Sequence, residues 1–182
     1  MDSVSVLIVE DDPMVMEIHK RFVLSSKGYS IAGTVGDGLS AISFLEKNEN
    51  TVDLVILDIF MPELDGVETL RKIRQTRKNV DVIIVSAAHE ADTVRKVIRH
   101  GAFDYIVKPF TYERFRKAME AFRVYHCRAI PDNLSQDDID SILSMRRNGR
   151  KSAGLPKGLC SGKLDRIRAV SYTHLTLPTI YS

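Results

Sequence analysis

The sequence predicts an α/β fold: a doubly wound, five-stranded parallel sheet, joined to a small, incomplete α-helical module at the C-terminus. Three observations carry this. Short β-branched runs alternate with helical apolar spacing five times within residues 1–126. The strongest of these runs are almost continuously apolar, as strands covered on both faces must be. After residue 126 the alternation stops and the composition turns basic.

Val4–Val9 (VSVLIV) is the first strand. A helix over 13–26 follows, with Pro13 suited to its first turn and Val15, Ile18 and Phe22 at helical spacing. Ser30–Val35 is a weaker second strand, and the helix Gly38–Lys47 turns Ala41, Ile42 and Leu45 inward. Asp53–Leu57 (DLVIL) is the third strand, running into Asp58. The helix Asp65–Arg77 puts Val67, Leu70 and Ile73 on one face, and Val80–Ser86 (VDVIIVS) is the fourth strand. Ala91–His100 is a helix presenting Val94, Val97 and Ile98, closed by Gly101. Tyr105–Val107 is a short fifth strand. Thr111 then caps a helix to Tyr125 whose Phe115, Ala118, Met119 and Phe122 fall at i, i+3, i+4 and i+7.

Hydrophobic residues make up 44% and charged residues 27%, the balance of a soluble globular chain. The sequence has no run of about 18 apolar residues, which argues against a transmembrane span. The start, MDSVSVLIVEDD, has no basic stretch before its apolar run and does not read as a secretory signal. Cys127 and Cys160 make no disulfide framework and belong to no zinc-type cluster, so a reducing, cytoplasmic setting is expected. The formal charge of +2 hides an asymmetry. Residues 1–126 carry 17 Lys+Arg against 19 Asp+Glu, and residues 127–182 carry 9 against 5. The basic half suits a polyanionic partner.

Ligands of such sheets bind beyond the carboxyl ends of the strands. There the sequence places Glu10, Asp11 and Asp12 after the first strand, Asp58 after the third, Ser86 at the end of the fourth and Lys108 after the fifth. Taken singly, each has a bland reading: acids before a helix complement its dipole, and a lone serine or lysine is usually structural. Together they make a crowded acidic rim that a hard cation such as Mg2+ would relieve. The lysine and hydroxyl facing it suit phosphoryl oxygens, and a carboxylate can itself be the nucleophile, forming an aspartyl phosphate.

IVEDD at 8–12, LDIFMPELDG at 57–66, VSAA at 85–88 and YIVKPF at 105–110 resemble the receiver domain of two-component response regulators. The resemblance spans residues 4–126 and implies the strand order 2-1-3-4-5. It implies that Asp58 is the phosphoacceptor, and that Asp11 binds Mg2+ directly and Glu10 through water. The backbone carbonyl of Phe60 would be a further metal ligand. Ser86 and Lys108 would hold the phosphoryl group, and Tyr105 would change rotamer as Ser86 moves. Asp12 falls outside the pair, as a helix-start acid. Pro62 and Gly66 would shape the loop after Asp58. Phe60 and Ala88 would flank the site and gate water, and Ala87 would leave room for a donor.

Beyond the receiver, 127–134 (CRAIPDNL) reads as a linker. Ser135 with Asp137 and Asp138 opens a helix, with Ile139, Ile142 and Leu143 on its apolar face and Arg146 and Arg147 at its end. KLDRIRAV at 163–170 resembles the start of another helix, and LPKGL at 155–159, following a helix, resembles the helix-turn-helix output of response regulators of the citrate and C4-dicarboxylate type. Lys163-Leu164, preceded by Gly162, stands where that family has a Thr-Leu pair, which weakens the helix start. The recognition helix of such modules enters the major groove. The uncharged tail SYTHLTLPTIYS, 171–182, resembles translated sequencing-adapter DNA, so the natural sequence is expected to depart near 168–170; a genuine polar tail is the alternative.

The reading is a response regulator, phosphorylated on Asp58 by a sensor histidine kinase and acting on promoter DNA through a complete C-terminal module of which residues 135–170 are only a part. Homodimerisation on phosphorylation is part of the implied behaviour. No membrane partner is expected. Its chemistry would be limited to Mg2+-dependent self-phosphorylation and self-dephosphorylation. A single-domain signalling receiver with an inert tail is one rival. An aspartyl-phosphate phosphatase is another, but such enzymes resemble a DxDx pattern, and Phe60 stands where the second acid is needed.

Overall fold

The computed structural model describes residues 3–48, 50–76 and 79–126, with Gln136, Asp137 and Asp140 beyond them. The chain runs β1 (Val4–Val9), α1 (Pro13–Ser25), β2 (Tyr29–Val35), α2 (Gly38–Lys47), β3 (Leu54–Leu57), α3 (Gly66–Thr76), β4 (Asp81–Ser86), α4 (Ala91–Arg99), β5 (Asp104–Val107) and α5 (Tyr112–His126). The strands form one parallel sheet in the order β2-β1-β3-β4-β5. Strand order, and every strand and helix expected within residues 1–126, are as the sequence predicts, with ends differing by a residue or so. The linker 127–134, the module 135–170 and the tail 171–182 lie outside the described residues. The exceptions are Gln136, Asp137 and Asp140, which are helical and exposed.

Strand alternation sorts the core into two layers. Leu7, Val9, Leu57 and Ile84 pack under α2, α3 and α4 with Leu70, Ile73 and Val97. Val6, Ile8, Ile56 and Ile83 pack on the other face with Val23, Phe115, Met119 and Phe122. Both faces of the central strands are sealed, which is why they read as continuous apolar runs.

Two helices are rotated from the expectation. In α1 the fully buried positions are His19 and Val23, while Ile18 is 42% exposed and Val15 and Phe22 are half-buried. Apolar residues ring this helix, so periodicity could not fix which face turns inward. In α4 only Val97 is fully buried and Ile98 is 57% exposed. That helix is short and meets the core along one narrow line. Gly101 takes φ +80°, the left-handed turn expected after α4, and its N–H donates to the Ile98 carbonyl at 3.0 Å. Thr111 caps α5 as predicted, its Oγ1 accepting from Arg114 N at 3.3 Å. Among the described residues no helix is long and apolar enough to cross a membrane.

Candidate functional site

The sheet register sets the site. Val9 pairs with Leu57, Leu57 with Ile84, and Ser86 with Val107, so the residues just after these strands share one rim. Backbone bonds continue past the pairing: Asp58 N donates to Val9 O at 3.0 Å, and Lys108 N donates to Ser86 O at 2.8 Å. This brings Glu10, Asp58, Ser86 and Lys108 together from four strand ends.

Lys108 is the hub. Its Nζ donates to Asp58 Oδ2 at 2.7 Å and to Glu10 Oε2 at 2.8 Å. Glu10 and Asp58 are buried, and Asp11 is exposed beside them. The other Asp58 oxygen, Oδ1, accepts from Ile59 N at 2.6 Å and Phe60 N at 3.3 Å. Carboxylate oxygens of Glu10, Asp11 and Asp58 lie within 4.8 Å of one another. Three acids against one ammonium leave excess negative charge, and an all-oxygen donor set of this kind fits a hard divalent cation.

Electrostatics reflect the crowding. Burial pushes the Glu10 carboxyl up to about 7; Lys108 opposes this, and the charges of Asp58 and Asp11 reinforce it. Burial alone would pull the Lys108 ammonium down, but its bonds to Asp58 and Glu10 outweigh burial and hold it above its ordinary value. Burial, with the charges of Asp58 and Glu90, raises the Tyr105 hydroxyl.

The remaining predicted positions surround this centre. Ser86 is fully buried, and its Oγ accepts from Ala88 N at 3.4 Å. The Tyr105 hydroxyl donates to the Ala88 carbonyl, tying β5 to the loop after β4. Phe60 is 57% exposed at the mouth, beside an open groove of about 450 Å³ between the β3–α3 loop and α4. Its backbone already lies against Asp58 through the N–H bond to Oδ1. Asp12 is apart from the cluster: its carboxylate accepts from Met14 N at 2.8 Å and Val15 N at 3.2 Å, capping α1. Gly66 must be glycine for room, since a Cβ there would lie 2.0 Å from the Asp58 carbonyl oxygen.

One neighbour of the site was absent from the sequence expectations. His19, on α1, has its Nδ1 3.6 Å from Glu10 Oε2 and is 1% exposed. Neither ring nitrogen has a hydrogen-bond partner. Its ring lies near-parallel to Phe110 and Phe115. Burial, reinforced by the Lys108 charge, lowers its pKa to about 4. The available signal was a histidine four residues from both Val15 and Val23 in an otherwise apolar stripe.

Fold and pocket together define the receiver class of signalling domain. The chain belongs to the response regulators: the family model described as the response regulator receiver domain matches residues 6–120. This sets it among response regulators rather than classical enzymes. It is 41% identical to the probable C4-dicarboxylate response regulator DctR of Bacillus subtilis, over 90% of this chain and 71% of that protein. It is 40% identical to the transcriptional regulatory protein MalR of the same organism, over 90% of this chain and 69% of that one. Among solved structures it resembles the CheX–CheY–BeF3–Mg2+ complex from Borrelia burgdorferi. That match has 30% identity and a TM-score of 0.63, covering 66% of this chain and 90% of that one. A LuxR-family two-component response regulator from Aurantimonas matches with a TM-score of 0.63 at 25% identity, over 80% of this chain and 99% of that one.

Proposed function

We propose that the chain accepts a phosphoryl group on Asp58 from a sensor histidine kinase and passes the signal to promoter DNA. The observation that carries this is the Lys108 bridge between the buried Asp58 and Glu10 carboxylates. An ammonium poised on the nucleophile can turn to the oxygens of an incoming phosphoryl group. An Asp58 carboxylate oxygen attacks phosphorus, the P–N bond to the kinase histidine breaks, and its electron pair stays on the imidazole nitrogen. Little else is asked of the protein than position and charge. Ser86 Oγ and Lys108 Nζ bind the transferred oxygens. Asp11, Asp58 and the Phe60 carbonyl would hold Mg2+, with Glu10 acting through water. Bound there, Mg2+ supplies charge neutralisation at the transferring oxygens. Tyr105, now donating to Ala88, would follow Ser86 as a switch, altering the face of α4, β5 and α5 and its homodimer contacts.

Residues 1–126 are the receiver in this reading, 127–134 a linker and 135–170 part of a helix-turn-helix module. MalR, named a transcriptional regulatory protein, supports a transcriptional output, and DctR, named a probable C4-dicarboxylate response regulator, supports C4-dicarboxylates as the metabolic context. A cytoplasmic protein follows from such partners.

Incubation with acetyl phosphate and Mg2+ tests the acceptor. Labelling should require Mg2+ and vanish in Asp58→Asn. Undiminished labelling of that variant would sink the assignment. Binding to a promoter fragment, weakening steeply with salt, tests the output.

A further inference from the structure

Two side-chain nitrogens converge on one carboxylate oxygen. Glu10 Oε2 lies 2.8 Å from Lys108 Nζ and 3.6 Å from His19 Nδ1. The lysine holds the bond, and the imidazole stands just beyond hydrogen-bond length. His19 is 1% exposed, with both nitrogens unpaired. A buried polar group left unpaired is expensive and calls for an explanation. The site's chemistry offers one, which rests on the phosphoryl-transfer reading above. In that reading Lys108 leaves Glu10 for the phosphoryl oxygens, and Glu10 then loses its cation while still required to hold metal-bound water.

We propose that His19 is a positioning residue for Glu10, whose Nδ1–H takes over Oε2 when Lys108 turns to the phosphoryl group on Asp58. A neutral imidazole carries one N–H, which suffices. The geometry favours the exchange. His19 lies on α1, which starts three residues after Glu10, and its ring packs near-parallel to Phe110, two residues after Lys108. The ring is thus set between the acid it would hold and the loop whose lysine it would replace. Closing a gap of 0.8 Å relative to the lysine bond needs only a small shift of the Glu10 carboxylate. Partners that orient metal-site groups in this way matter about 10-fold or more in affinity.

The test uses the 182-residue chain and two variants. His19→Leu fills the space without a donor. His19→Asn returns a donor near the Nδ1 position. Mg2+ alone, and then Mg2+ with beryllofluoride as the phosphoryl mimic, are titrated calorimetrically, and thermal melting checks each fold. The expected pattern is differential. His19→Leu binds Mg2+ alone as the wild type does, because Lys108 still holds Glu10, but binds beryllofluoride with Mg2+ about 10-fold more weakly. His19→Asn recovers most of that loss. Equal weakening of both titrations, no weakening, or no recovery by Asn overturns the proposal. Nitrogen NMR of the His19 ring adds a second reading: protonation on Nδ1 in the beryllofluoride complex supports it, and protonation on Nε2 overturns it. If the wild type itself binds neither probe, the phosphoryl-transfer reading falls and this one with it. Wild-type binding with an indifferent His19→Leu removes this inference alone.

Discussion

Lys108 Nζ stands 2.7 Å from Asp58 Oδ2 across a sequence separation of 50 residues, and the same ammonium holds Glu10 at 2.8 Å. One cation therefore serves two buried acids contributed by different strands. Such an arrangement is poor at maximising stability, because both carboxylates have been taken from water. It suits a site that must recruit further positive charge.

Lys108→Met is expected to destabilise the fold in a pH-dependent way. Without the ammonium, two buried carboxylates face each other uncompensated, which costs about 3–5 kcal/mol if both stay ionised. Protonation relieves this, and Glu10, already pushed up to about 7 with Lys108 present, would be pushed further. Urea unfolding at about pH 6 and about pH 8 should show the larger loss at the higher value. Equal losses at both would mean that Lys108 does not compensate Glu10.

The three consecutive acids separate by role. Asp12 caps α1 through Met14 N and Val15 N, so Asp12→Ala should cost about 1 kcal/mol of stability. It should leave Mg2+ affinity within about twofold, since its carboxylate is engaged at the helix end. Asp11 has an exposed carboxylate in the acidic cluster. Asp11→Ala should lose most Mg2+ affinity with little change in melting temperature. Calorimetry and melting on both variants check this, and a reversed pattern would exchange the two roles.

Much of this was legible in the sequence, for identifiable reasons. β3 (LVIL) and the middle of β4 (VIIV) are apolar without interruption because both their faces are sealed, so the doubly wound sheet could be read directly. The strand-end positions of Glu10, Asp58, Ser86 and Lys108 followed from the same pattern. What escaped was rotation and depth. The apolar residues around α1 give no preferred face, so helical spacing alone does not show that Ile18 lies outward and His19 is buried. The Lys108 bridge also escaped, since pairing across 50 residues depends on side-chain direction that no periodicity encodes.

Gly66→Ala should damage the loop after Asp58, the proposed acceptor. The added Cβ would meet the Asp58 carbonyl oxygen at 2.0 Å and Ile59 Cα at 2.7 Å, both backbone atoms that cannot swing aside. Overpacking of this kind costs about 1–3 kcal/mol. The strain falls directly on Asp58, so acetyl-phosphate labelling should slow more than stability alone would predict. A variant that melts and labels like the wild type would show that the loop can move away freely.

Glu10 and His19 should make opposite contributions to stability against pH in metal-free buffer. The folded Glu10 carboxyl titrates at about 7 against an ordinary 4.5, under the influence of burial, Lys108, Asp58 and Asp11. The folded state therefore keeps a proton that the unfolded chain has released. That stabilisation is complete below 4.5 and is lost as pH rises through about 7. His19 titrates at about 4 against an ordinary 6.5, under burial, Lys108 and Asp58. Its stabilisation is present above 6.5 and is lost as pH falls through about 4. Between 4.5 and 6.5 the two slopes, each about 1.4 kcal/mol per pH unit, oppose each other. His19→Leu should uncover the Glu10 limb, so that its stability relative to wild type falls as pH rises through this window. Glu10→Gln should uncover the other limb, with relative stability rising. Urea unfolding of the three proteins across the window measures both differences, and groups common to all three cancel. Parallel curves would show that neither side chain has the altered affinity for protons that its burial dictates.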